Sequence, residues 1–173
     1  SKSAGDLWPK IRVYAPDGTK LCEAGSSVTA EIASCTLASA GTYSILAFEG
    51  FDGTFTGDYY LYLQRLNNQG SPVSIAFGQT LSGSITTPAE MDTYTFTASA
   101  GDKVLVRMSK SSGTFYPGIR VYSPDGTKLC EAISYVSYSW TPTAKITSCA
   151  LPSDGIYSIL AFEGFDGTFT GDY

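Results

Sequence analysis

The feature that most constrains this chain is that part of its sequence occurs twice. The stretch "YSILAFEGFDGTFTGDY" at Tyr43–Tyr59 returns without change at Tyr157–Tyr173, 114 residues later (157 − 43). The motif "PDGTKLCEA" at Pro16–Ala24 returns at Pro124–Ala132, 108 residues later (124 − 16). The two offsets differ by six residues, so the second copy contains an insertion between the two motifs. Such repetition indicates that one supersecondary unit is built twice.

Alignment of the two copies predicts the domain boundaries. Ser1–Ser3 aligns with Ser109–Ser111, and "YLYLQRL" at Tyr60–Leu66 has no counterpart in the second copy. We therefore expect the C-terminal part of a first module, a short linker and a second module without its final strand, at residues 1–67, 68–72 and 73–173. Such an arrangement suggests that the sequence is one part of a longer array of modules. The alternative is that a neighbouring chain supplies the final strand of the second module.

Period-two alternation predicts strands throughout the chain. The stretches "DTYTFTA" and "KVLVRM" alternate polar and apolar side chains, which is typical of half-buried strands. Asp-Gly and Gly-Asp pairs in "SPDGTK" and "ASAGDK" are turn signals between them. We predict an all-β chain of jelly-roll-like antiparallel β-sandwich modules in tandem. In the first copy this interpretation places strands at Ala30–Leu37, Thr42–Glu49 and Tyr59–Leu66.

Charge and residue content argue against several kinds of function. The net charge is −5 and Lys and Arg are scattered, which disfavours nucleic-acid binding because that binding needs a positive surface. The chain has no His, so a Ser–His–Asp or Cys–His catalytic site cannot form within it. No apolar run approaches the ~20 residues of a membrane-spanning helix. We therefore predict no enzyme activity, no nucleic-acid partner and no membrane span.

The four cysteines are predicted to form one disulfide in each copy. Cys22 and Cys35 are 13 residues apart (35 − 22), and Cys130 and Cys149 are 19 residues apart (149 − 130). Three pairings are possible, but only Cys22–Cys35 with Cys130–Cys149 gives both copies the same bridge. Since insertions are tolerated best at loop tips, we expect each bridge to join two paired strands. Disulfides favour an oxidising compartment, and we predict an extracellular or cell-surface location.

The order of motifs in the second copy resembles a known family. Between Val73 and Tyr173 the chain reads "GQTLSGSI", "DTYTFTASAGDKV", "IRVYSPDGTKL", "GIYSILAFE" and "GDY". This order is similar to that of the bacterial pre-peptidase C-terminal domain family, including the related collagen-binding modules of secreted clostridial collagenases. The resemblance implies a secreted, non-catalytic jelly-roll β-sandwich in which Asp92, Tyr94 and Phe96 are structural.

Acidic side chains near the repeated loop are candidates for a calcium site. Calcium takes about six to eight oxygen ligands from flexible loops, and some members of the resembled family bind it through an N-terminal segment. This sequence has no clear match to that segment, and the loop has no D-x-D-x-D-G series. We therefore predict no cofactor and favour a turn-shaping role, with calcium as the alternative. The carboxylates concerned are Glu49, Asp52 and Asp58 with their copies Glu163, Asp166 and Asp172.

Aromatic side chains are the candidate contact residues. Tyr135, Tyr138 and Trp140 lie in the insertion, which we expect at a loop tip, and we predict that they contact a partner. For the phenylalanines of the repeated loop we favour ordinary packing within the fold, namely for Phe51, Phe55, Phe165 and Phe169.

Together these features predict a non-catalytic extracellular β-sandwich repeat of a longer secreted or cell-surface protein. Its role would be structural or adhesive, with self-assembly into a sheath or filament as one form of that role. Its partners would be neighbouring copies of the repeat, or an extracellular protein or polysaccharide. The alternative is a substrate-targeting accessory module of a secreted peptidase or glycan-degrading enzyme, which binds a collagen-like protein or a polysaccharide.

Overall fold

The computed structural model describes residues 1–134 and 142–173, and these ranges contain strands and no helix. The prediction of an all-β chain is therefore confirmed. The chain divides into two compact units, unit 1 at Ser1–Leu61 and unit 2 at Tyr62–Tyr173.

Unit 1 contains an antiparallel sheet whose three strands lie in the order β2-β1-β3. The strands are β1 (Pro9–Tyr14), β2 (Lys20–Gly25) and β3 (Ser44–Glu49). The turn "APDGT" joins β1 to β2, and its Gly18 has a φ of 86°. Glycine reaches that left-handed region without the steric cost of a side chain, which lets the chain reverse tightly.

Unit 2 contains a five-stranded sheet in the order β4-β6-β11-β8-β9 and two pairs of strands, β10-β7 and β12-β5. Its strands are β4 (Val73–Ser74), β5 (Ser84–Ile85), β6 (Met91–Ala98), β7 (Lys103–Ser109), β8 (Pro117–Tyr122), β9 (Lys128–Ile133), β10 (Thr143–Ala150), β11 (Gly155–Glu163) and β12 (Gly171–Asp172). The pairing of β4 with β6 is parallel, and the other pairs are antiparallel.

One buried cluster joins the two main sheets of unit 2. Phe96, Ile119 and Ile159 enter it from the five-stranded sheet, and Met108 and Ile146 enter it from the β10-β7 pair. Alternate residues of each strand take part because successive side chains point to opposite faces of a sheet. Unit 2 is therefore a β-sandwich whose core lies between two layers.

The strands that the two units have in common are paired in the same register within each unit. Val13 lies opposite Cys22 between β1 and β2, and Val121 lies opposite Cys130 between β8 and β9. The third strand, β3 or β11, pairs with the first strand of that hairpin over six residue pairs in both units. The frame β2-β1-β3 of unit 1 thus matches β9-β8-β11 of unit 2.

Both predicted disulfides are present. The Cα atoms are 6.1 Å apart in Cys22–Cys35 and 6.0 Å apart in Cys130–Cys149. The expectation that each bridge joins two paired strands is wrong, because β9 and β10 belong to different sheets. The bridge of unit 2 instead links the two layers of the sandwich. Closing a loop of this size stabilises a fold by about 3 kcal/mol in the chain-entropy account.

Two strands predicted in the first copy do not form. Ala30–Leu37 is irregular, although its counterpart in unit 2 is β10. Tyr59–Leu66 makes one isolated bridge, between Tyr59 and Lys2. In unit 2 the counterpart of Ala30–Leu37 pairs with β7, and Gly171–Asp172, the residues just before the counterpart of Tyr59, pair with β5. The first copy in this sequence has no counterpart of β7 or β5. A strand needs a neighbour for its backbone N–H and C=O groups, so both segments stay irregular.

Residues 62–72 lie in unit 2. The Tyr62 hydroxyl donates a hydrogen bond to the carbonyl of Met91 at 2.5 Å. The side-chain amide of Gln69 donates to the Ser158 hydroxyl on β11 at 2.6 Å. The division between the units therefore falls between Leu61 and Tyr62, and this segment packs against the five-stranded sheet of unit 2.

The repeated stretch is buried in one unit and exposed in the other. Ile159 and Leu160 of β11 are 7% and 2% exposed, whereas their counterparts Ile45 and Leu46 are 37% and 46% exposed. The local sequence is the same, so the difference comes from the neighbours. β11 lies between β6 and β8, but within unit 1, all of which the structure describes, β3 has the neighbouring strand β1 on one side alone.

Replacing Ile159 by Ala should destabilise unit 2 by about 2–4 kcal/mol, because the substitution leaves a cavity in the core. Ile45→Ala is the matched control in the same local sequence. It should cost about 1 kcal/mol or less, because the Ile45 side chain is already partly in water. Urea unfolding, followed through the NMR signals of each unit, measures both losses. Equal losses would contradict the difference in packing.

Candidate functional site

The loops that follow β3 and β11 carry the same sequence, "GFDGTFT". We call them the aromatic loops, residues 50–56 in unit 1 and 164–170 in unit 2. Each begins where a strand of the shared three-stranded frame ends, so the sheet fixes one end of the loop. Loops on a rigid scaffold are where binding residues concentrate.

A buried carboxylate holds the aromatic loop of unit 2. Glu163, the last residue of β11, is 6% exposed. Its carboxylate accepts hydrogen bonds from the backbone N–H groups of Phe165 at 2.9 Å, Asp166 at 3.0 Å and Gly167. The N–H of Tyr116 donates to the same carboxylate at 3.3 Å. A buried carboxylate needs such donors, and in return it fixes the path of the loop.

The loop of unit 1 is held in the same way. The Glu49 carboxylate accepts hydrogen bonds from the N–H groups of Phe51, at 2.7 Å, and Gly53. Asp52 accepts from the N–H and the hydroxyl of Thr54, at 2.9 and 2.6 Å. These bonds lower the pKa of Asp52, and the bond from the hydroxyl has the larger effect. Gly53 has a φ of 80°, a conformation that strains residues with a side chain.

The loops present aromatic rings to solvent. Phe51 is 65% exposed and Phe165 is 64% exposed. Each is supported by an aromatic neighbour, since ring centroids are 5.1 Å apart for Phe51 and Trp8 and 5.6 Å apart for Phe165 and Tyr116. Both units therefore display a phenylalanine on a loop whose backbone is held by hydrogen bonds. An exposed ring of this kind can stack on a sugar or pack on an apolar protein surface.

The packing predicted for the loop phenylalanines is only partly right. Phe55 and Phe169 are half-buried, but Phe51 and Phe165 are largely exposed. The sequence does contain a signal for this difference. Phe51 and Phe165 stand between Gly and Asp-Gly, and residues at the tip of a tight turn project away from the fold.

The remaining acidic candidates lie at the end of the repeated stretch. The Asp172 carboxylate accepts hydrogen bonds from the hydroxyls of Ser112 at 2.6 Å and Ser84 at 2.7 Å, which lower its pKa. The carbonyl of Asp58 accepts from the N–H of Ser3 at 2.9 Å. In residues 1–134 and 142–173, no three His, Cys, Asp or Glu side chains are grouped so as to hold a metal ion. The calcium alternative remains a prediction.

A second polar cluster ties Tyr173, the residue after β12, to β6. The Tyr173 hydroxyl donates to the Asp92 carboxylate at 2.6 Å and lies 2.7 Å from the Tyr94 hydroxyl. Burial raises the pKa of Asp92, and the hydrogen bond from Tyr173 opposes that effect. Burial, together with hydrogen bonds to Asp92 and Tyr94, raises the pKa of Tyr173. Asp92 and Tyr94 therefore take part in hydrogen bonds that hold the fold together.

The contact residues predicted in the insertion, Tyr135, Tyr138 and Trp140, lie outside the described residues. Their contact role therefore stays a prediction.

Comparison with known protein families, with curated proteins and with solved structures gave no match to this chain. The resemblance seen in the order of motifs therefore stays a prediction. Among the described residues, no helix is long and apolar enough to cross a membrane.

Glu163→Gln should destabilise unit 2 by about 1–3 kcal/mol, because the new amide group turns a donor toward backbone N–H groups that need an acceptor. Glu49→Gln is the matched variant and should cost less, because Glu49 is more exposed and water can replace the lost bonds. Urea unfolding of both variants measures the difference. Unchanged stability of Glu163→Gln, together with unchanged amide shifts at residues 165–167, would show that the carboxylate does not hold the loop.

Proposed function

We propose that this chain is a non-catalytic, extracellular β-sandwich repeat, jelly-roll-like and arranged in tandem, with a structural or adhesive role. It would be part of a longer secreted or cell-surface protein. The observation that carries the proposal is the display of the same exposed phenylalanine, Phe51 and Phe165, on the same loop in both units. The partner would be a further copy of the repeat or another extracellular macromolecule.

The aromatic loops are suited to binding because little freedom is lost when they engage a partner. Glu49 and Glu163 already hold the loop backbones through hydrogen bonds. A partner that covers the ring of Phe51 or Phe165 thus gains apolar burial without first ordering a loop. Repetition of the loop along a chain also raises its effective concentration at a surface that carries many binding sites.

The two disulfides support an extracellular location, since such bonds persist in oxidising compartments. The resemblance to the pre-peptidase C-terminal domain family points the same way. The net charge of −5 and the absence of a basic cluster fit a partner other than nucleic acid.

The bonding of the acidic side chains supports a non-catalytic role. Glu163 and Asp166 of unit 2 accept hydrogen bonds from the backbone of their own loop. Asp172 is bonded by two serine hydroxyls. General acid and base catalysis needs carboxylates that face a substrate, and these face the protein itself.

A second candidate function is that of a substrate-targeting module attached to a secreted peptidase or glycan-degrading enzyme. The exposed rings of Phe51 and Phe165 favour it as much as the first, because stacked aromatic rings also recognise sugars. The two functions differ in the partner. The first predicts self-association or binding to a cell-surface protein, and the second predicts binding to a collagen-like protein or an insoluble polysaccharide.

The double variant Phe51→Ser with Phe165→Ser should weaken binding about tenfold or more, since truncating a central aromatic contact costs about 2 kcal/mol. Sedimentation velocity over a range of concentrations measures self-association. Retention on fibrillar collagen, chitin and cellulose measures the alternative. Ile156→Thr is the control, because Ile156 is 60% exposed and unit 1 has Thr42 at the equivalent position.

Loss of self-association in the double variant, with the control unchanged, supports the structural role. Loss of retention on one of the solid materials instead supports the accessory role. If the unsubstituted protein neither associates nor binds, or if the double variant behaves like the control, the aromatic loops are not the contact surface.

A further inference from the structure

The sheet of unit 1 has a free edge where the sheet of unit 2 has a partner. β11 pairs with β8 on one side and with β6 on the other, and the β6 pairing runs over eight residue pairs from Gly155–Ala98 to Phe162–Met91. β3 pairs with β1, and in unit 1 its other edge has no strand beside it. A free edge presents unpaired N–H and C=O groups that template the addition of a strand.

The same side of unit 1 exposes apolar residues that belong to the core in unit 2. Leu151 is 1% exposed and its counterpart Leu37 is 53% exposed. Ile159 belongs to the core cluster, and its counterpart Ile45 is 37% exposed. Ile45 lies on β3 itself, so the open edge adjoins exposed apolar surface, and both lack the cover that unit 2 has.

Unit 2 shows which segment provides that cover. β6 and β7, joined by the turn "SAGD", place Tyr94, Phe96, Val104 and Met108 in the core. Phe96 stacks on Tyr157, with ring centroids 5.6 Å apart. β6 supplies the backbone partner of β11, and β7 supplies the backbone partner of β10. In this sequence the first copy has no counterpart of this hairpin.

The acceptor surface in unit 1 is already formed without the hairpin. The Tyr43 hydroxyl donates to the carbonyl of Ser39 at 2.7 Å, as the Tyr157 hydroxyl does to Ser153 at 2.6 Å. The strand registers and the disulfide also match those of unit 2. Before any partner binds, β3 thus already has the arrangement that β11 has in the complete sandwich. Binding would therefore require little reorganisation of unit 1.

We propose that the free edge of β3 and the face around Ile45 and Leu37 are a docking site for a β-hairpin with the chemistry of β6–β7. The hairpin adds an antiparallel strand in the register of unit 2, with Gly41 opposite the position of Ala98 and Phe48 opposite that of Met91. Ala30–Leu37 then becomes a strand against the second arm of the hairpin. This is strand addition to a sheet edge.

The occupant is a hairpin that is not already part of a complete module. A second copy of this chain carries the hairpin, but its β6 and β7 are buried in its own unit 2. Moving that hairpin would expose as much apolar surface as it covers. A free hairpin of the same sequence pays no such cost. This inference rests on the proposed role of the chain as a repeat, because a further module that has the hairpin but lacks its own three-stranded frame is what would supply it.

The test uses the full chain, labelled with ¹⁵N, and an unlabelled synthetic peptide with the sequence of Met91–Ser109. At a peptide concentration ten times the dissociation constant, amide exchange in Ser44–Glu49 should slow about tenfold. The same residues of β11, Ser158–Glu163, serve as an internal control and should not change. Slower exchange in β3 alone supports the proposal, and equal changes in β3 and β11 contradict it.

Two protein variants separate edge docking from unspecific adhesion of an apolar peptide. Ile45→Arg places a charge on the face that the hairpin would cover and should abolish the effect of the peptide. Leu46→Arg is the control on the opposite face of the same strand, since successive side chains alternate, and should retain it. Equal binding to both variants would contradict the proposed face.

A covalent version decides the question if the peptide aggregates. Residues 91–108 are fused directly before Ser1, which reproduces the order of unit 2 because Ser1 aligns with Ser109. Ser44–Glu49 should then gain the exchange protection of Ser158–Glu163. If the fused chain keeps an unprotected β3, the proposal is overturned. That result would leave the role of the aromatic loops untouched, because Phe51 and Phe165 are tested separately by association and retention.

Discussion

Backbone pairing between β11 and β6 is the interaction on which the packing of unit 2 depends. It brings the β6–β7 hairpin over the shared three-stranded frame, and β7 in turn gives β10 a partner. Hydrophobic burial follows from that pairing, since Ile159 and Leu151 become part of a closed core. In unit 1, where the hairpin has no counterpart, the frame still forms but its face stays open.

The aromatic loops do not depend on this long-range pairing. Glu49 holds its loop in unit 1 much as Glu163 does in unit 2, through hydrogen bonds to nearby backbone N–H groups. The exposures of Phe51 and Phe165 agree within one percentage point, although the surrounding sheets differ. The exposure of this phenylalanine therefore does not depend on whether the β6–β7 hairpin lies beside the sheet.

The sequence predicts local features well and long-range features poorly. The turn at Gly18 and the pairing of Cys22 with Cys35 follow from nearby residues and from comparison of the two copies. The irregular course of Ala30–Leu37 does not follow, because its strand-like pattern is the same as that of β10. The repeated stretch shows why burial cannot be predicted from local sequence. The same residues are exposed in β3 and buried in β11, because different strands lie beside them. The exposure of Phe51 and Phe165 was missed, although their Gly and Asp-Gly flanks carried the signal.

The most direct test of this account is residue-resolved amide exchange in the unmodified chain, by NMR. Ser44–Glu49 and Ser158–Glu163 lie in identical sequence, so their intrinsic exchange rates are equal and any difference reports structure alone. We expect protection along the whole of β11, but in β3 only for amides bonded to β1. The other amides of β3 should exchange at least about 100-fold faster than their counterparts in β11. Equal protection in the two strands would contradict the claim that the β6–β7 hairpin decides how this sequence is packed.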